Sequence, residues 1–248
     1  MGDRPYTTGL SSFRVADVPE VCVVLLHSPL RPHFAVRAAA VTKVFGDTIA
    51  LWDVSIDCGS GGLLAVHGAN GSGKTTLLRI VAGLTAPTRG RVAWTSDSPG
   101  LRPRIGLLGH ANHLFDELTA IENVALAARL AGRDETIAID LLGRLAVDAN
   151  AARRTRDLSA GSRRRVGLAR LLATDPDVLL VDEPFAGLDE RAADTVGRVL
   201  GEARDAGRLV LIATHDGARS RLIATRTVEL RAGRIRTTES IATEALAT

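Results

Sequence analysis

Short apolar segments separated by turn residues begin at about residue 38 and continue to about residue 238. The segments at 41–44, 49–56 and 63–66 have the length and composition of strands. After residue 74, strands alternate with segments whose apolar residues recur at helical spacing. This alternation predicts a mostly parallel sheet covered by helices. The later predicted elements are helix 74–82, strands 91–94 and 104–108, helices 119–131, 136–145 and 159–173, strand 178–181, helix 190–206, strand 209–213, a short helix after His215, and hairpin strands 227–231 and 234–238.

The pattern divides the chain into three segments. Residues 1–37 hold four of the nine prolines, which predicts an irregular N-terminal extension. Residues 38–238 form the predicted main domain, with a helical subdomain inserted at about 115–173, and residues 239–248 form a tail. The apolar run at 21–26 is shorter than the ~18 residues of a membrane span or the ~7 to 15 residues of a secretory signal core. We therefore expect no membrane span and a cytoplasmic location.

Composition narrows the class of protein. Hydrophobic residues make up 46% of the 248 residues and charged residues 24%, as in folded soluble domains and unlike disordered chains. The net charge of +3 is too small to require a nucleic-acid partner. Cys22 and Cys58 lack the spacing of a zinc site or a disulfide framework, so two reduced thiols are expected. Lys43 and Lys74 are the only lysines among 31 basic residues, so each is a candidate for a role that requires lysine rather than arginine.

A glycine-rich segment at 68–76 follows a predicted strand, opens a helix and fits the pattern GxxxxGK[ST]. Its glycines let backbone N–H groups surround phosphate oxygens, and the helix N-terminus adds positive potential. Lys74 would reach the β- and γ-phosphates, and Thr75 would ligate magnesium. The alternative is a glycine-rich turn without a ligand. The predicted nucleotide-binding residues here are Gly68, Ala69, Asn70, Gly71, Ser72, Gly73, Lys74, Thr75 and Thr76.

Two acids follow the apolar strand 178–181 at the edge of the sheet where ligands of open α/β folds bind. Asp182 would hold Mg2+ through water, and Glu183 would polarise the water that attacks the γ-phosphate. His215 follows strand 209–213, which should lie beside 178–181 and bring the imidazole to the same edge. Together with Lys74, Glu183 and His215 are the candidate catalytic residues. A helix-capping acid pair and a helix-start histidine are the alternatives.

The segment LSAGS at 158–162 opens a helix, where Ser159 and Gly161 would present a hydroxyl and free N–H groups to an anion. A plain helix cap is the alternative. This segment resembles the LSGGQ signature of ATP-binding-cassette (ABC) ATPases, and the other landmarks occur in that family's order across about residues 38–235. Ala160 and Ser162 depart from the usual Gly and Gln.

The resemblance implies an α/β P-loop NTPase of ABC type, with a mostly parallel core, an N-terminal antiparallel β part and an inserted helical subdomain. It places Phe45 where the family's aromatic residue stacks on adenine, although Phe45 alone fits a core position equally well. It places Asp189, in AGLD at 186–189, in the loop that couples the two sites. It also implies ATP and Mg2+ as ligands, a head-to-tail homodimer with ATP clamped between P-loop and signature, and integral membrane partners at the cytoplasmic face of the membrane.

The loop after strand 104–108 normally carries a Gln in this family, but here it contains Gly109-His110. With LTAIENV at 118–124, this loop resembles the haem exporter ATP-binding proteins of cytochrome c maturation (system I). His110 therefore joins the predicted nucleotide-site residues. ATP hydrolysis would then drive haem release from its chaperone or haem delivery, and haem is not expected to contact this chain. A haem or metal site at His110 and His113 is less favoured than a solvent-exposed pair.

Other functions remain open. The cassette equally suits another exporter, of drugs, lipids or polysaccharides, or a non-transport ABC ATPase, although those acting on DNA or ribosomes usually need coiled-coil insertions or a second cassette. A soluble GTPase switch lacks its NKxD-like base reader, and a module that binds ATP without turnover is disfavoured by Glu183 and His215. No nucleic-acid partner is expected, because the basic cluster spreads over different helix faces without interleaved aromatics. That cluster consists of Arg153, Arg154, Arg156, Arg163, Arg164 and Arg165.

Overall fold

The computed structural model describes residues 31–149 and 152–241. These residues form nine strands and six α-helices, with a short 3-10 turn at Thr155–Asp157. The strands are β1 (Phe34–Phe45), β2 (Thr48–Gly59), β3 (Leu63–His67), β4 (Arg89–Ser96), β5 (Ile105–Leu108), β6 (Val178–Asp182), β7 (Leu209–Thr214), β8 (Arg226–Arg231) and β9 (Arg234–Ser240). The helices are α1 (Lys74–Val81), α2 (Ala120–Leu130), α3 (Ile137–Arg144), α4 (Ala160–Ala173), α5 (Glu190–Asp205) and α6 (Gly217–Arg221).

The first sheet is antiparallel, with strand order β2-β1-β4. Its first strand begins at Phe34, within the residues 1–37 that the sequence predicts as an irregular extension. Phe34 is buried, and its N–H donates to Ser60 Oγ at 2.9 Å, which anchors the start of β1 to the end of β2. At the C-terminal end of the domain, β9 of the second sheet continues to Ser240, two residues past the predicted domain end. Ser240 pairs there with Arg226 of β8. Residues 1–30 and 242–248, with Cys22 and the prolines at 5, 19 and 29, lie outside the described residues.

The second sheet has strand order β5-β6-β7-β3-β8-β9 and is parallel except for the β8–β9 hairpin. Every residue of β6 and β7 is buried, as expected for strands covered on both faces. The mostly parallel core is therefore confirmed, and so is the pairing of β6 with β7, in which Asp182 lies opposite Ala213. The carboxyl ends of β3, β6 and β7 meet at one edge, and this edge carries the site.

Three helices, α2, α3 and α4, form the predicted helical lobe between β5 and β6. The lobe packs through small aliphatic side chains, among them the buried Ala127, Leu142 and Leu168. Thr119 and Glu122 form a capping box at the start of α2, which ends the preceding loop at a fixed position. Within the described residues no helix is long and apolar enough to cross a membrane.

Candidate functional site

The P-loop joins β3 to α1 through three glycines with positive φ angles. Gly68, Gly71 and Gly73 have φ values of +155°, +77° and +106°, which side chains of L-residues rarely adopt. A Cβ on Gly73 would lie 2.5 Å from the Ala50 carbonyl oxygen and 2.7 Å from Leu51 Cδ2. Glycine is therefore required at residue 73 by both conformation and space, because the loop passes directly against β2.

The tip of the β8–β9 hairpin holds the same loop from another side. Gly233 N–H donates to the Ser72 carbonyl at 3.0 Å, and Trp52 N–H donates to the Gly233 carbonyl at 2.8 Å. Gly233 thus bridges the P-loop and β2. Sequence reasoning missed this role, because the turn at 232–233 predicts a hairpin but not what the hairpin touches.

Lys74 is buried, with its ammonium turned over the loop that precedes it. Nζ donates to the carbonyls of Gly68 at 2.8 Å and Ala69 at 3.1 Å. It also lies 3.6 Å from Glu183 Oε1. The ammonium therefore lies between the phosphate-binding loop and the acids at the end of β6.

Thr75 and Asp182 meet across the site. Thr75 Oγ1 donates to Asp182 Oδ2 at 2.7 Å, and the other carboxylate oxygen, Oδ1, is buried without a hydrogen-bond partner among the described residues. Buried polar atoms are rarely left unpaired, and a hydroxyl beside a carboxylate is a donor set that suits Mg2+. These two residues therefore fit the predicted metal site.

Glu183 and His215 form a hydrogen-bonded pair. His215 Nδ1 lies 2.7 Å from Glu183 Oε2, and the His215 backbone N–H donates to the same oxygen at 3.3 Å. Glu183 has a φ of +50°, which is uncommon for a residue with a side chain, and its N–H donates to the Ala213 carbonyl at 2.6 Å. The turn after β6 therefore directs this carboxylate toward the residues that follow β7.

These groups surround one cavity of about 510 Å3. Most of the predicted residues line it: 70–76, His110, Asp182, Glu183 and His215. Thr48, Ile49 and Ala50 also line it, although the sequence did not single them out, and so does Ala186, the first residue of the AGLD segment. The structure thus brings His110, from the loop after β5, to the same cavity as the P-loop.

Six predicted residues do not line this cavity, and two of them, Gly68 and Ala69, lie at the start of the P-loop. Phe45 is 51% exposed at the end of β1, and Lys43 Nζ lies 4.8 Å from its ring centroid. Exposure at this level contradicts the alternative that Phe45 is a core residue.

Ser159 caps α4 by accepting from Ser162 N–H at 3.1 Å, and Asp189 caps α5 by accepting from Ala192 N–H at 2.8 Å. The last of the six is Gly161, in the first turn of α4.

Arg164 is the main contact that sequence reasoning missed, because it was counted with the basic cluster. The side chain is buried: Nη1 donates to the Gly109 carbonyl at 2.6 Å and to Asn112 Oδ1 at 2.9 Å, and Nη2 donates to the Asp182 carbonyl. Burial lowers the pKa of the guanidinium to about 10, against the opposing effect of the Asp182 and Glu183 charges. The available signal was helical spacing, since Gly161 lies three residues before it and Leu168 four residues after it, both on the buried face of α4.

The other arginines of the basic cluster that have described contacts also bond within the chain. Arg163 pairs with Asp116 at 2.7 Å, and Arg165 donates to the carbonyls of Leu145 at 3.0 Å and Ala146 at 2.6 Å. Arg154 and Arg156 both donate to Glu117. The cluster therefore stabilises the helical lobe.

Comparison with known proteins gives consistent matches. The family model described as ABC transporter matches residues 51–186. The sulfate/thiosulfate import ATP-binding protein CysA 2 of Rhizobium meliloti (strain 1021) is 38% identical over 213 residues, which cover 81% of this chain and 58% of that protein. The chain spans about three-fifths of the length of the first curated relatives it matches.

Among solved structures, the dimeric bacterial ABC transporter cassette MJ0796 has a TM-score of 0.74 and 28% identity, over 83% of this chain and 98% of that one. A dimeric post-hydrolysis state of MJ0796, bound to ADP and Pi, has a TM-score of 0.73 with the same identity and coverage. The matched model covers more than half of the chain and includes the P-loop, Asp182 and Glu183. The chain therefore belongs to the ABC transporter family.

Proposed function

We propose that the chain is the ATP-hydrolysing subunit of an ABC transporter. One observation carries this proposal: Lys74, the Thr75–Asp182 pair and the Glu183–His215 pair all line the same cavity. These groups supply a cation for the phosphates, a metal ligand set and a base held by a second group, which are the parts that phosphoryl transfer to water needs. The family membership and the dimeric ADP-bound neighbour support the same reaction.

Each residue has a distinct role in this proposal. Lys74 exchanges its contacts with the Gly68 and Ala69 carbonyls for the β- and γ-phosphate oxygens of ATP, and Thr75 and Asp182 hold Mg2+. When bound, Mg2+ neutralises charge on the phosphate oxygens. Glu183 accepts the proton of the attacking water, and His215 keeps the carboxylate oriented toward that water.

We place the active form in a head-to-tail homodimer on integral membrane subunits, at the cytoplasmic face of the membrane. Ser159 is exposed at the N-terminus of α4, where a hydroxyl and helix N–H groups suit an anion from a second subunit. Gly161 binds the nucleotide of the second subunit together with Ser159, and Asp189 lies in the loop that couples the two nucleotide sites. Phe45 stacks on adenine. The dimeric neighbours support the assembly, since both solved cassettes are described as dimers.

The transported species has two candidates. The Gly109-His110 loop and the LTAIENV segment favour haem export for cytochrome c maturation, and the placement of His110 at the cavity gives that loop a part in the site. The matched relatives do not support this choice, because they are named for sulfate or thiosulfate import. Sulfate import is therefore the second candidate.

Turnover of ATP by the purified chain tests the catalytic proposal. Wild type, Glu183→Gln and the control Glu239→Gln, which removes a carboxylate from the exposed strand β9, are compared with and without Mg2+. We expect Glu183→Gln to lose at least about 100-fold in turnover, to keep ATP binding and to elute as a dimer in ATP. Wild-type turnover in Glu183→Gln would overturn the role of Glu183, and absence of nucleotide binding in both proteins would overturn the ATPase proposal.

Deletion of the gene in its host tests the cargo. Loss of covalently bound haem in c-type cytochromes, restored by wild type and not by Glu183→Gln, supports haem export. Loss of uptake of labelled sulfate with the same complementation supports sulfate import instead. If neither changes, both candidates are wrong, and another exporter or a non-transport ATPase remains.

A further inference from the structure

The loop that follows β5, residues 109–116, is fastened to α4 by three arginines. Arg163 pairs with Asp116, Arg164 donates to Gly109 and Asn112, and Arg170 donates to the His113 carbonyl at 2.6 Å. We name this segment the β5 loop. Its position relative to α4 is therefore fixed at its beginning, its middle and its end.

The two elements also pack closely beside Arg164. A Cβ on Gly167 would lie 3.1 Å from Leu108 Cδ1 and 3.4 Å from Asn112 Cβ, so α4 lies almost against the β5 loop at this turn. Between the two elements lies the Arg164 side chain, which is 5% exposed. A guanidinium offers donors in a planar fork, which a lysine at the same position cannot reproduce.

Arg164 differs from Arg163 and Arg170 because it also reaches the sheet. Nη2 donates to the carbonyl of Asp182, which belongs to the peptide group between Asp182 and Glu183. The N–H of that same peptide group donates to the Ala213 carbonyl on β7. Both polar ends of this peptide group are therefore held, one by α4 and one by the neighbouring strand.

This arrangement determines where the Glu183 carboxylate lies. The held peptide group precedes the Glu183 Cα, and Glu183 has the uncommon φ of +50°. Residues in such conformations persist only when their surroundings fix them. Without Arg164, the carbonyl end of the peptide group would lose its side-chain donor, and the backbone that aims the carboxylate at its position between Lys74 and His215 would be less firmly fixed.

We propose that Arg164 is a positioning residue for ATP hydrolysis, which couples the β5 loop to the peptide group that aims Glu183. This inference rests on the proposed ATPase function. Loss of Arg164 should therefore lower the rate of the chemical step and leave nucleotide binding, which depends on the P-loop, unchanged. A displacement of the β5 loop, which also carries His110, would reach the Asp182–Glu183 peptide group through the Arg164 side chain, in addition to the pairing of β5 with β6.

The test separates binding from turnover. Wild type, Arg164→Lys and the control Arg165→Lys are compared by Kd for ATP without Mg2+, by kcat and KM with Mg2+, and by urea unfolding. Arg165 is the matched control because it lies on the same helix and donates to Leu145 and Ala146, away from the cavity. Since a misplaced reacting group can cost ~100-fold, we expect Arg164→Lys to lower kcat by about 10- to 100-fold with Kd changed less than about 3-fold.

A second variant keeps the inference falsifiable if Arg164→Lys does not fold. Asn112→Ala removes one acceptor and leaves the arginine in place, and we expect kcat to fall by about 3- to 10-fold at unchanged Kd. Its effect should disappear in the Arg164→Lys background. Wild-type kcat in folded Arg164→Lys, or in Asn112→Ala when Arg164→Lys does not fold, would overturn the inference. Absence of turnover in wild type would instead overturn the ATPase proposal itself.

Discussion

The two oxygens of the Glu183 carboxylate face different partners: Oε2 lies 2.7 Å from His215 Nδ1, and Oε1 lies 3.6 Å from Lys74 Nζ. The carboxylate is thereby held between the residue that follows β7 and the residue that opens α1. Each partner restricts a different oxygen, so loss of either one leaves one oxygen without that contact and allows the carboxylate to rotate. The pair with His215 is the closer one and is the first to test.

His215→Ala should lower kcat for ATP by about 10- to 100-fold while ATP binding is retained, because the Glu183 carboxylate remains but loses its nearest orienting group. His215→Asn should retain more activity, since the Asn amide nitrogen takes the position of Nδ1 and can donate to Glu183 Oε2. Steady-state turnover measures both. The control is His113→Ala, which changes a histidine that does not line the cavity. Full activity in His215→Ala would contradict the orienting role.

Gly73→Ala should raise the Kd for ATP by at least about 10-fold, since a Cβ there collides with the Ala50 carbonyl and the loop must move. Gly71→Ala is the matched control. Gly71 also has a positive φ, but a Cβ there meets nothing within 4 Å, so only the backbone cost of about 1–2 kcal/mol applies. Fluorescent-nucleotide titration compares the two variants. Equal Kd values would show that the contact with β2 does not determine the loop conformation.

Asn123→Ala should destabilise the fold by about 2–4 kcal/mol, because it removes several buried hydrogen bonds at once. Asn123 Oδ1 accepts from Phe115 N–H at 2.8 Å, and Nδ2 donates to Thr155 Oγ1 at 2.9 Å and to the Thr119 carbonyl at 3.0 Å. Urea unfolding followed by circular dichroism gives the free energy. Leu130→Ala on the same helix is the control, since Leu130 is 77% exposed and should change stability by less than about 0.5 kcal/mol. A similar loss in both variants would contradict this account.

Cys58 should react slowly with thiol reagents at pH 8. Burial is the main cause that raises the pKa of the Cys58 thiol to about 11 from 9.0, although Arg226 opposes the shift. Only the thiolate reacts, so its fraction at pH 8 should be about 100-fold lower in the folded protein than in urea. The measurement uses Cys22→Ser, in which Cys58 is the remaining thiol. Equal rates in folded and unfolded protein would show that the thiol is not protected.

The raised pKa also gives the direction of a stability change with pH. A group whose folded pKa lies above its unfolded pKa favours the folded state below the unfolded value, and this contribution is lost as pH rises through the folded value. For Cys58 the loss falls between pH 9 and about 11. Cys58→Ala should lack this part of the alkaline loss in stability.

Local sequence patterns predicted most of the fold. The P-loop, the buried strand before Asp182 and the helix predicted at 119–131 each depend on residues close together in the chain, so spacing and residue type suffice to place them. The pairing of β6 with β7 also followed from the apolar runs. The start of β1 was missed because Phe34 is held by Ser60, a contact that the local sequence around Phe34 does not reveal.

The site was predicted less completely, and for the same physical reason. Lys74, Thr75, Asp182 and Glu183 carry their own motifs, whereas Arg164 has the composition of a surface residue and is buried only because α4 packs on the β5 loop. Gly233 likewise acts through its contact with Ser72, 161 positions away along the chain. Contacts between distant segments depend on packing, which a single sequence shows only as helical or strand periodicity.

The central position of β3 has a consequence for biosynthesis. Its neighbours in the sheet are β7 and β8, so the strand that carries the P-loop pairs with segments synthesised much later, and Leu63 N–H reaches Thr225 Oγ1 across 162 residues. Both strands that pair with β3 among the described residues are still missing from a nascent chain that has not yet reached residue 209. The strand that leads into the phosphate-binding loop therefore completes its pairing only after residues 209–231 have been synthesised, so nucleotide binding follows rather than guides the folding of the segments made earlier.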